Sequence, residues 1–131
     1  MRSETLTTTL QAPAAEVFDY LSRIENLPDW ATEFARELIT VDGHKKVRNG
    51  LGELFITIRA DQATGVIDMR AGPTLEEMAL FPSRVVALPD GSSAYTFTMF
   101  QPPAMPDSLF KDQHASLARE FEQIHRRFDR G

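Results

Sequence analysis

The chain has 131 residues, a formal net charge of −5 and no cysteine. This length predicts one domain, residues 1–131, with enough buried surface for a hydrophobic core. The acidic balance argues against a nucleic-acid partner, because phosphate contacts need a basic face. Without cysteine there can be no disulfide, no thiolate nucleophile and no sulfur-ligated metal site.

The sequence shows no targeting segment and no cofactor motif. No apolar run approaches the ~18 residues of a membrane span, and the opening MRSETLTTTLQ lacks the apolar core of a signal peptide. The histidines at 44, 114 and 125 have no metal-ligand spacing, and there is no glycine-rich phosphate loop or nucleophile elbow. We therefore expect a cytoplasmic protein without a membrane span, a metal or a cofactor.

The first part of the chain predicts one strand followed by helices. Residues 4–11 (ETLTTTLQ) form a β-prone run, and Pro13 follows directly with the start signal of a helix. Residues 14–24 place their apolar side chains on one helical face. Pro28 then ends this helix before a further helical turn through Phe34.

The middle of the chain predicts β-type runs separated by short turns. The runs are ELITV, GELFITIRA, GVIDMRA, EEMALF with RVVAL, and AYTFTMF. Turn pairs such as Asp42-Gly43, Asn49-Gly50 and Asp90-Gly91 join antiparallel neighbours, and we expect His44 to belong to the first of these turns. The predicted order is one strand, two helices, about six strands and a long helix.

The last helix, predicted for residues 109–128, has one buried side. Its apolar residues gather within about 40° of one line along the helix axis: Phe110, Leu117, Phe121, Ile124 and Phe128. Its end carries the basic residues that the helix dipole favours there: His125, Arg126, Arg127 and Arg130. A curved antiparallel sheet needs a helix over its apolar face, and only this helix is long enough. We therefore expect it to lie across the sheet.

One polar residue, His114, lies at the edge of the apolar line. It is either a partly buried histidine that is hydrogen-bonded to backbone, or a residue that contacts a ligand. In the second case the imidazole would donate a hydrogen bond to a ligand carbonyl, or act as an acid or base near neutral pH. The sequence pattern leaves both interpretations open.

Three segments carry a resemblance to a known superfamily. They are residues 12–31 (APAAEVFDYLSRIENLPDWA), residues 94–107 (AYTFTMFQPPAMPD) and the closing amphipathic helix. The chain resembles the START-like, helix-grip superfamily, also labelled SRPBCC or polyketide cyclase/dehydrase. This resemblance implies an α+β, helix-grip fold of the order β-α-α-β6-α, in which a curved antiparallel sheet of about seven strands grips the last helix around a cavity. Its members include lipid carriers, hormone receptors and aromatase/cyclases, so it implies a fold more specifically than a function.

Strand alternation predicts the wall of that cavity, if the more apolar set of each strand faces inward. On this basis Ile58 and Leu80 also face inward. The candidate ligand contacts are Leu54, Ile56, Ile67, Met69, Met78, Phe97 and Met99 on the strands, Phe110 and Leu117 on the last helix, and Trp30 and Phe34 after Pro28. Each of these side chains would serve equally well as ordinary core packing.

Three functions follow from these patterns. The first is binding of a small hydrophobic or aromatic molecule that His114 or Tyr95 orients. The second, which the resemblance permits, is a polyketide cyclase/dehydrase-type enzyme with His114 as acid or base and Tyr95 as oxyanion donor. The third is a protein-association module with a vestigial cavity, in which outward-facing Phe55, Phe81 or Phe100 mark a partner surface or a homodimer interface.

Overall fold

The computed structural model describes residues 1–129, so Arg130, one of the basic residues predicted near the end of the last helix, lies outside the described residues. The elements in chain order are β1 (Arg2–Leu10), α1 (Ala14–Leu21), a 3₁₀ turn (Ile24–Asn26), α2 (Leu27–Trp30), β2 (Glu37–Val41), β3 (His44–Asn49), β4 (Gly52–Asp61), β5 (Val66–Thr74), β6 (Glu77–Ala87), β7 (Ser93–Gln101) and α3 (Asp107–Phe128). This order confirms the predicted α+β architecture.

The strands form one seven-stranded antiparallel sheet in the order β1-β7-β6-β5-β4-β3-β2. Strands β2 to β7 follow one another as neighbours, and β1 joins the sheet beside β7. The short turns thus connect antiparallel neighbours, as their lengths predict. β1 and β2 are the edge strands.

The long helix α3 lies across the sheet, which confirms the prediction, and among the strands it packs mainly against β1 and β7. Its apolar line is buried: Phe110, Leu117, Phe121, Ile124 and Phe128. Because α3 follows one side of the sheet, β4 and β5 lie beyond its main contacts. Among residues 1–129, no helix combines the length and the apolar character that crossing a membrane requires.

Strand β3 is an element that the sequence pattern does not predict. It begins at His44, which we expected to be a turn residue. Only Val47 is fully buried in this strand, whereas Arg48 is exposed and binds Glu37 and Glu53, with N–O distances of 2.7 and 3.0 Å. A strand that contributes one buried side chain and several charged ones lacks the apolar alternation by which strands are recognised.

The inward orientation predicted for Met78 and Leu80 is wrong. β6 pairs Phe81 with Met69, a buried residue of the inner face, so Phe81 faces inward and its neighbours two positions apart do the same. Met78 and Leu80 therefore lie on the outer face, where Leu80 is 38% exposed. The same register corrects the prediction that Phe81 lies on the outer surface. Both alternating sets of β6 side chains contain apolar residues, so composition alone could not show which set faces inward.

Candidate functional site

The inner face of the sheet is densely covered where α3 crosses it. On β7, Tyr95 and Phe97 are buried. Phe121 of α3 lies against both rings, with centroids 5.5 Å from Tyr95 and 6.3 Å from Phe97. We name these three residues the covered core. Their rings fill the space directly beneath this part of α3.

The inner face is less covered on β4 and β6. The side chains of Leu54, Ile58 and Phe81 face inward but are only partly buried. Ile58 and Phe81 stand on either side of Met69 in one row across the sheet, because Ile58 pairs with Met69 and Met69 pairs with Phe81. We name Leu54, Ile58 and Phe81 the open patch. Its three apolar side chains flank the buried Ile56 and Met69, and α3, packed against β1 and β7, leaves them incompletely covered.

The structure distributes the predicted ligand contacts over three environments. The buried ones are Trp30, Ile56, Ile67, Met69, Phe97, Met99, Phe110 and Leu117. Leu54 and Phe34 are partly buried and pack against the core. Met78 lies on the outer face. The inward orientation of the other strand residues is confirmed, and their contact with a ligand stays a prediction.

Tyr95 is buried with its hydroxyl already engaged. The hydroxyl donates a hydrogen bond to Ser83 Oγ at 2.9 Å, and Ser83 Oγ donates to the Ile67 carbonyl at 2.6 Å. Burial raises the pKa of Tyr95 far above its usual range, so the phenol stays neutral. The hydroxyl proton that Tyr95 would need as an oxyanion donor is thus donated to Ser83 in this structure.

Trp30 of α2 lies beside Tyr95, with ring centroids 6.4 Å apart and planes at 83°. Its Nε1 is buried without a hydrogen-bond partner among the described residues. A buried donor without an acceptor costs free energy, about 1–3 kcal/mol. The interior beside Tyr95 therefore contains a donor that the described part of the protein does not pair.

His114 is half-buried on α3, about 40° around the helix axis from Phe110. This is the side on which His125 and Phe121 border an open groove of about 380 Å³ with β1 residues 6–8. Because β1 and the open patch lie on opposite sides of β7, this flank of α3 faces away from the patch. The catalytic roles predicted for His114 and Tyr95 stay predictions.

A buried carboxyl group, Glu120, lies on the other flank of α3. It is 4% exposed, and its Oε2 accepts hydrogen bonds from the backbone N–H groups of Glu33 and Phe34 at 3.1 and 2.9 Å. Burial raises the pKa of Glu120 to about 7, although the two backbone hydrogen bonds oppose this shift. The sequence pattern does not predict this residue, because it stands about 80° from Phe110 at the margin of the apolar line.

Glu120 fastens the segment 31–36, which we name the mouth loop, to α3. A second attachment is the carboxylate of Glu33, which accepts hydrogen bonds from Arg119 at 2.7 and 2.8 Å and from Ser116 at 3.0 Å. The bond from Arg119 holds the pKa of Glu33 below its usual value. On the opposite side, the Asn49 side chain donates to the Phe34 carbonyl at 2.9 Å, at the end of β3. The loop thus bridges α3 and the β3–β4 turn.

A second open groove, of about 460 Å³, lies near the end of α3 between Tyr20, Asp29 and Arg127. The Arg127 guanidinium stacks 3.9 Å from the Tyr20 ring centroid and lies 3.8 Å from Asp29. Neither groove includes a residue of the open patch, and the enclosed cavity that the resemblance implies stays a prediction. Within residues 1–129, no cluster of three or more potential ligand residues is suited to a metal ion.

Solved structures share this architecture. The chain aligns with the Aha1 dimer from Colwellia psychrerythraea at a TM-score of 0.76 and 12% identity, covering 100% of this chain and 98% of that one. For a START superfamily protein from Mycobacterium smegmatis the TM-score is 0.70 at 15% identity, covering 97% of both chains.

The di-domain ARO/CYC BexL from the BE-7585A biosynthetic pathway aligns at a TM-score of 0.70 and 14% identity, covering 96% of this chain and 46% of that one. No protein-family model matches the sequence, and no curated protein matches it. The chain therefore has the START-like, helix-grip fold, which confirms the fold that the resemblance implies.

Proposed function

We propose that the protein binds a small hydrophobic molecule on the open patch. The observation that carries this proposal is the partial exposure of three apolar side chains, Leu54, Ile58 and Phe81, on the inner face of a sheet whose other part is covered. Removing such apolar surface from water contributes about 25 cal/mol per Å². A hydrophobic ligand would supply the cover that α3 does not.

The charge distribution favours an uncharged ligand. Around the open patch, the inner-face residues within 54–58 of β4, 67–71 of β5 and 79–85 of β6 are apolar, apart from Ser83, whereas Glu77 shares this face at the start of β6 and is exposed. Arg59 and Asp68 pair with each other on the opposite face. A ligand on the open patch would therefore meet no cationic partner from these positions, and a carboxylate or phosphate group would have to remain in water.

The fold supports the same location. The chain shares its architecture with a START superfamily protein and with the di-domain ARO/CYC BexL. The superfamily that the sequence resembles includes lipid carriers. The mouth loop reaches from α3 to the β3–β4 turn, next to the start of the strand that carries Leu54, and so it borders the Leu54 end of the proposed site.

No observation favours the cyclase-type enzyme over binding. The Tyr95 hydroxyl donates to Ser83, and His114 lies on the β1 side of α3. The catalytic alternative thus depends on the resemblance alone. The alternative of protein association has one structural counterpart, the dimer formed by the Aha1 protein of the same fold. Its candidate residues are now Phe55 and Phe100, since Phe81 faces inward.

The proposal is tested by titration with N-phenyl-1-naphthylamine, a neutral apolar dye whose fluorescence rises when it leaves water. Ile58→Glu places a charge on the open patch and removes about 1.5–3 kcal/mol of apolar contact. We therefore expect this variant to bind the dye at least about tenfold more weakly than the wild type.

The matched control is Thr57→Glu. Thr57 is the neighbouring residue on β4, exposed on the outer face and paired with Arg70. We expect this variant to bind the dye as the wild type does. Circular dichroism verifies that both variants are folded. The proposal is contradicted if the wild-type protein does not bind the dye. It is also contradicted if both variants lose dye binding equally. Native mass spectrometry with fatty acids, steroids and aromatic polyketides then identifies the ligand class.

A further inference from the structure

The buried carboxyl of Glu120 is not part of the open patch, and it holds the mouth loop. One of its oxygen atoms accepts both the Glu33 and the Phe34 amide hydrogen bonds. These two donors belong to consecutive residues of the loop, so a single carboxyl group fixes the loop backbone against α3. If the loop lifts away from α3, the carboxyl loses both partners and meets water.

The charged groups around Glu120 oppose its ionisation more than they favour it. On the mouth loop it faces the carboxylate of Glu33, whose like charge disfavours a second negative charge. On α3 the favourable charge is Arg119, which is exposed and already donates two hydrogen bonds to Glu33, and Arg36 of the loop acts on Glu33. Burial makes the largest unfavourable contribution to ionisation, and it outweighs the two backbone hydrogen bonds, which favour the ionised carboxylate.

We propose that Glu120 is a proton-operated latch, in which the neutral carboxyl group keeps the mouth loop closed and loss of its proton favours the open loop. The closed loop excludes water from the carboxyl group, which disfavours its charged form, whereas the open loop leaves that form hydrated. The Glu33–Arg119 pair does not prevent opening, because an exposed ion pair contributes little.

The size of the effect follows from the difference between the two loop states. With a pKa of about 7 in the closed state and the ordinary value of 4.5 in the open state, the open fraction increases about tenfold between pH 6 and pH 8.5. If the proposed function holds, the mouth loop borders the ligand site, and ligand exchange accelerates over the same range. The latch itself exists whether or not a ligand binds.

The latch is tested without any ligand by amide hydrogen exchange. The exchange rates of the Glu33 and Phe34 amides are divided by their intrinsic rates at each pH, which gives protection factors. We expect protection of these two amides to fall about tenfold from pH 6 to pH 8.5 in the wild type, while the amides of Tyr95 and Met69 in the sheet keep their protection.

Two variants separate the latch from other effects of pH. Glu120→Gln keeps a carbonyl oxygen for both loop amides but cannot titrate, so its protection factors stay constant. Glu122→Gln, an exposed position on the same helix, keeps the wild-type pH dependence. Constant protection in the wild type, or the same tenfold fall in Glu120→Gln, would overturn the proposal.

A measurement on the wild type alone provides a second test. The side-chain carboxyl ¹³C resonance of Glu120 reports its protonation directly. A midpoint near pH 7 supports the latch, and a midpoint near 4.5 overturns it. If the loop shows this switch but the apolar dye does not bind, the latch stands and the proposed ligand function fails.

Discussion

The covered core and the open patch belong to one face of one sheet, and they differ in what lies over them. Both consist of apolar side chains that alternate inward along antiparallel strands. Tyr95 and Phe97 pack against Phe121 of α3, whereas Ile58 and Phe81 are left partly exposed. The difference shows that the position of α3 over β1 and β7, and not the composition of the strands, separates the packed region from the proposed binding surface.

The largest expected effect is on the covered core. We expect Phe121→Ala to lower the free energy of unfolding by about 3–5 kcal/mol, because the deleted ring contacts both Tyr95 and Phe97. Phe81→Ala in the open patch should cost only about 1–2 kcal/mol, since its side chain is partly exposed already. Urea unfolding of both variants measures the difference. Equal losses would show that the two regions are packed alike.

The next effect concerns Glu120, at the margin between α3 and the mouth loop. The folded protein binds its proton more tightly than the unfolded chain, because burial raises the pKa from 4.5 to about 7. Stability from this group is therefore fully present below pH 4.5 and is lost as the pH rises through 7, by up to about 3 kcal/mol. Urea unfolding between pH 5 and pH 8 should show this decrease, and Glu120→Gln should remove it. A rise in stability over that range which depends on Glu120 would contradict the burial argument.

A smaller loss is expected from Tyr95→Phe. The change deletes the hydrogen bond to Ser83 but leaves Ser83 bonded to the Ile67 carbonyl, so it should cost about 1 kcal/mol in urea unfolding. Dye affinity should stay the same, since Tyr95 belongs to the covered core. A variant of unchanged stability that loses dye binding would instead place the Tyr95 hydroxyl at the ligand.

The smallest effect is expected at Leu80, the outward-facing neighbour of Phe81. Leu80→Ser should change the free energy of unfolding by no more than about 0.5 kcal/mol and leave dye binding intact, because the side chain lies on the exposed outer face. Thermal unfolding and dye titration test both points. A loss of binding in Leu80→Ser that matches the loss in Phe81→Ala would remove the distinction between the two faces.

The fold was predictable because its long elements have clear periodicity. The apolar line of α3 and the alternation of β7 each contain several buried residues, so one exception does not obscure the pattern. β3 was not predicted, because only Val47 is buried in this strand and its sequence shows no apolar alternation. The face of Met78 followed from pairing with β5, which is a long-range property that the local pattern does not contain.

The site was less predictable than the fold. The exposure of Ile58 depends on where α3 crosses the sheet, and the burial of Glu120 depends on a loop more than 80 residues away in sequence. His114 was predicted as a site residue because it is a lone polar residue near the apolar line of α3. The polar residue of α3 whose carboxyl group is buried is instead Glu120, which stands at the margin of that line. Helical periodicity alone does not tell which polar residue at a margin meets another segment.

The most direct test of the account is a methyl NMR titration of the wild-type protein with N-phenyl-1-naphthylamine. We predict that the methyl resonances of Leu54 and Ile58 shift as the dye is added, while those of Leu10 on β1 and Ile124 on α3, both buried, stay in place. Shifts confined to Leu10 and Ile124, or to methyl groups on the outer face such as those of Leu80, would contradict a ligand site on the open patch.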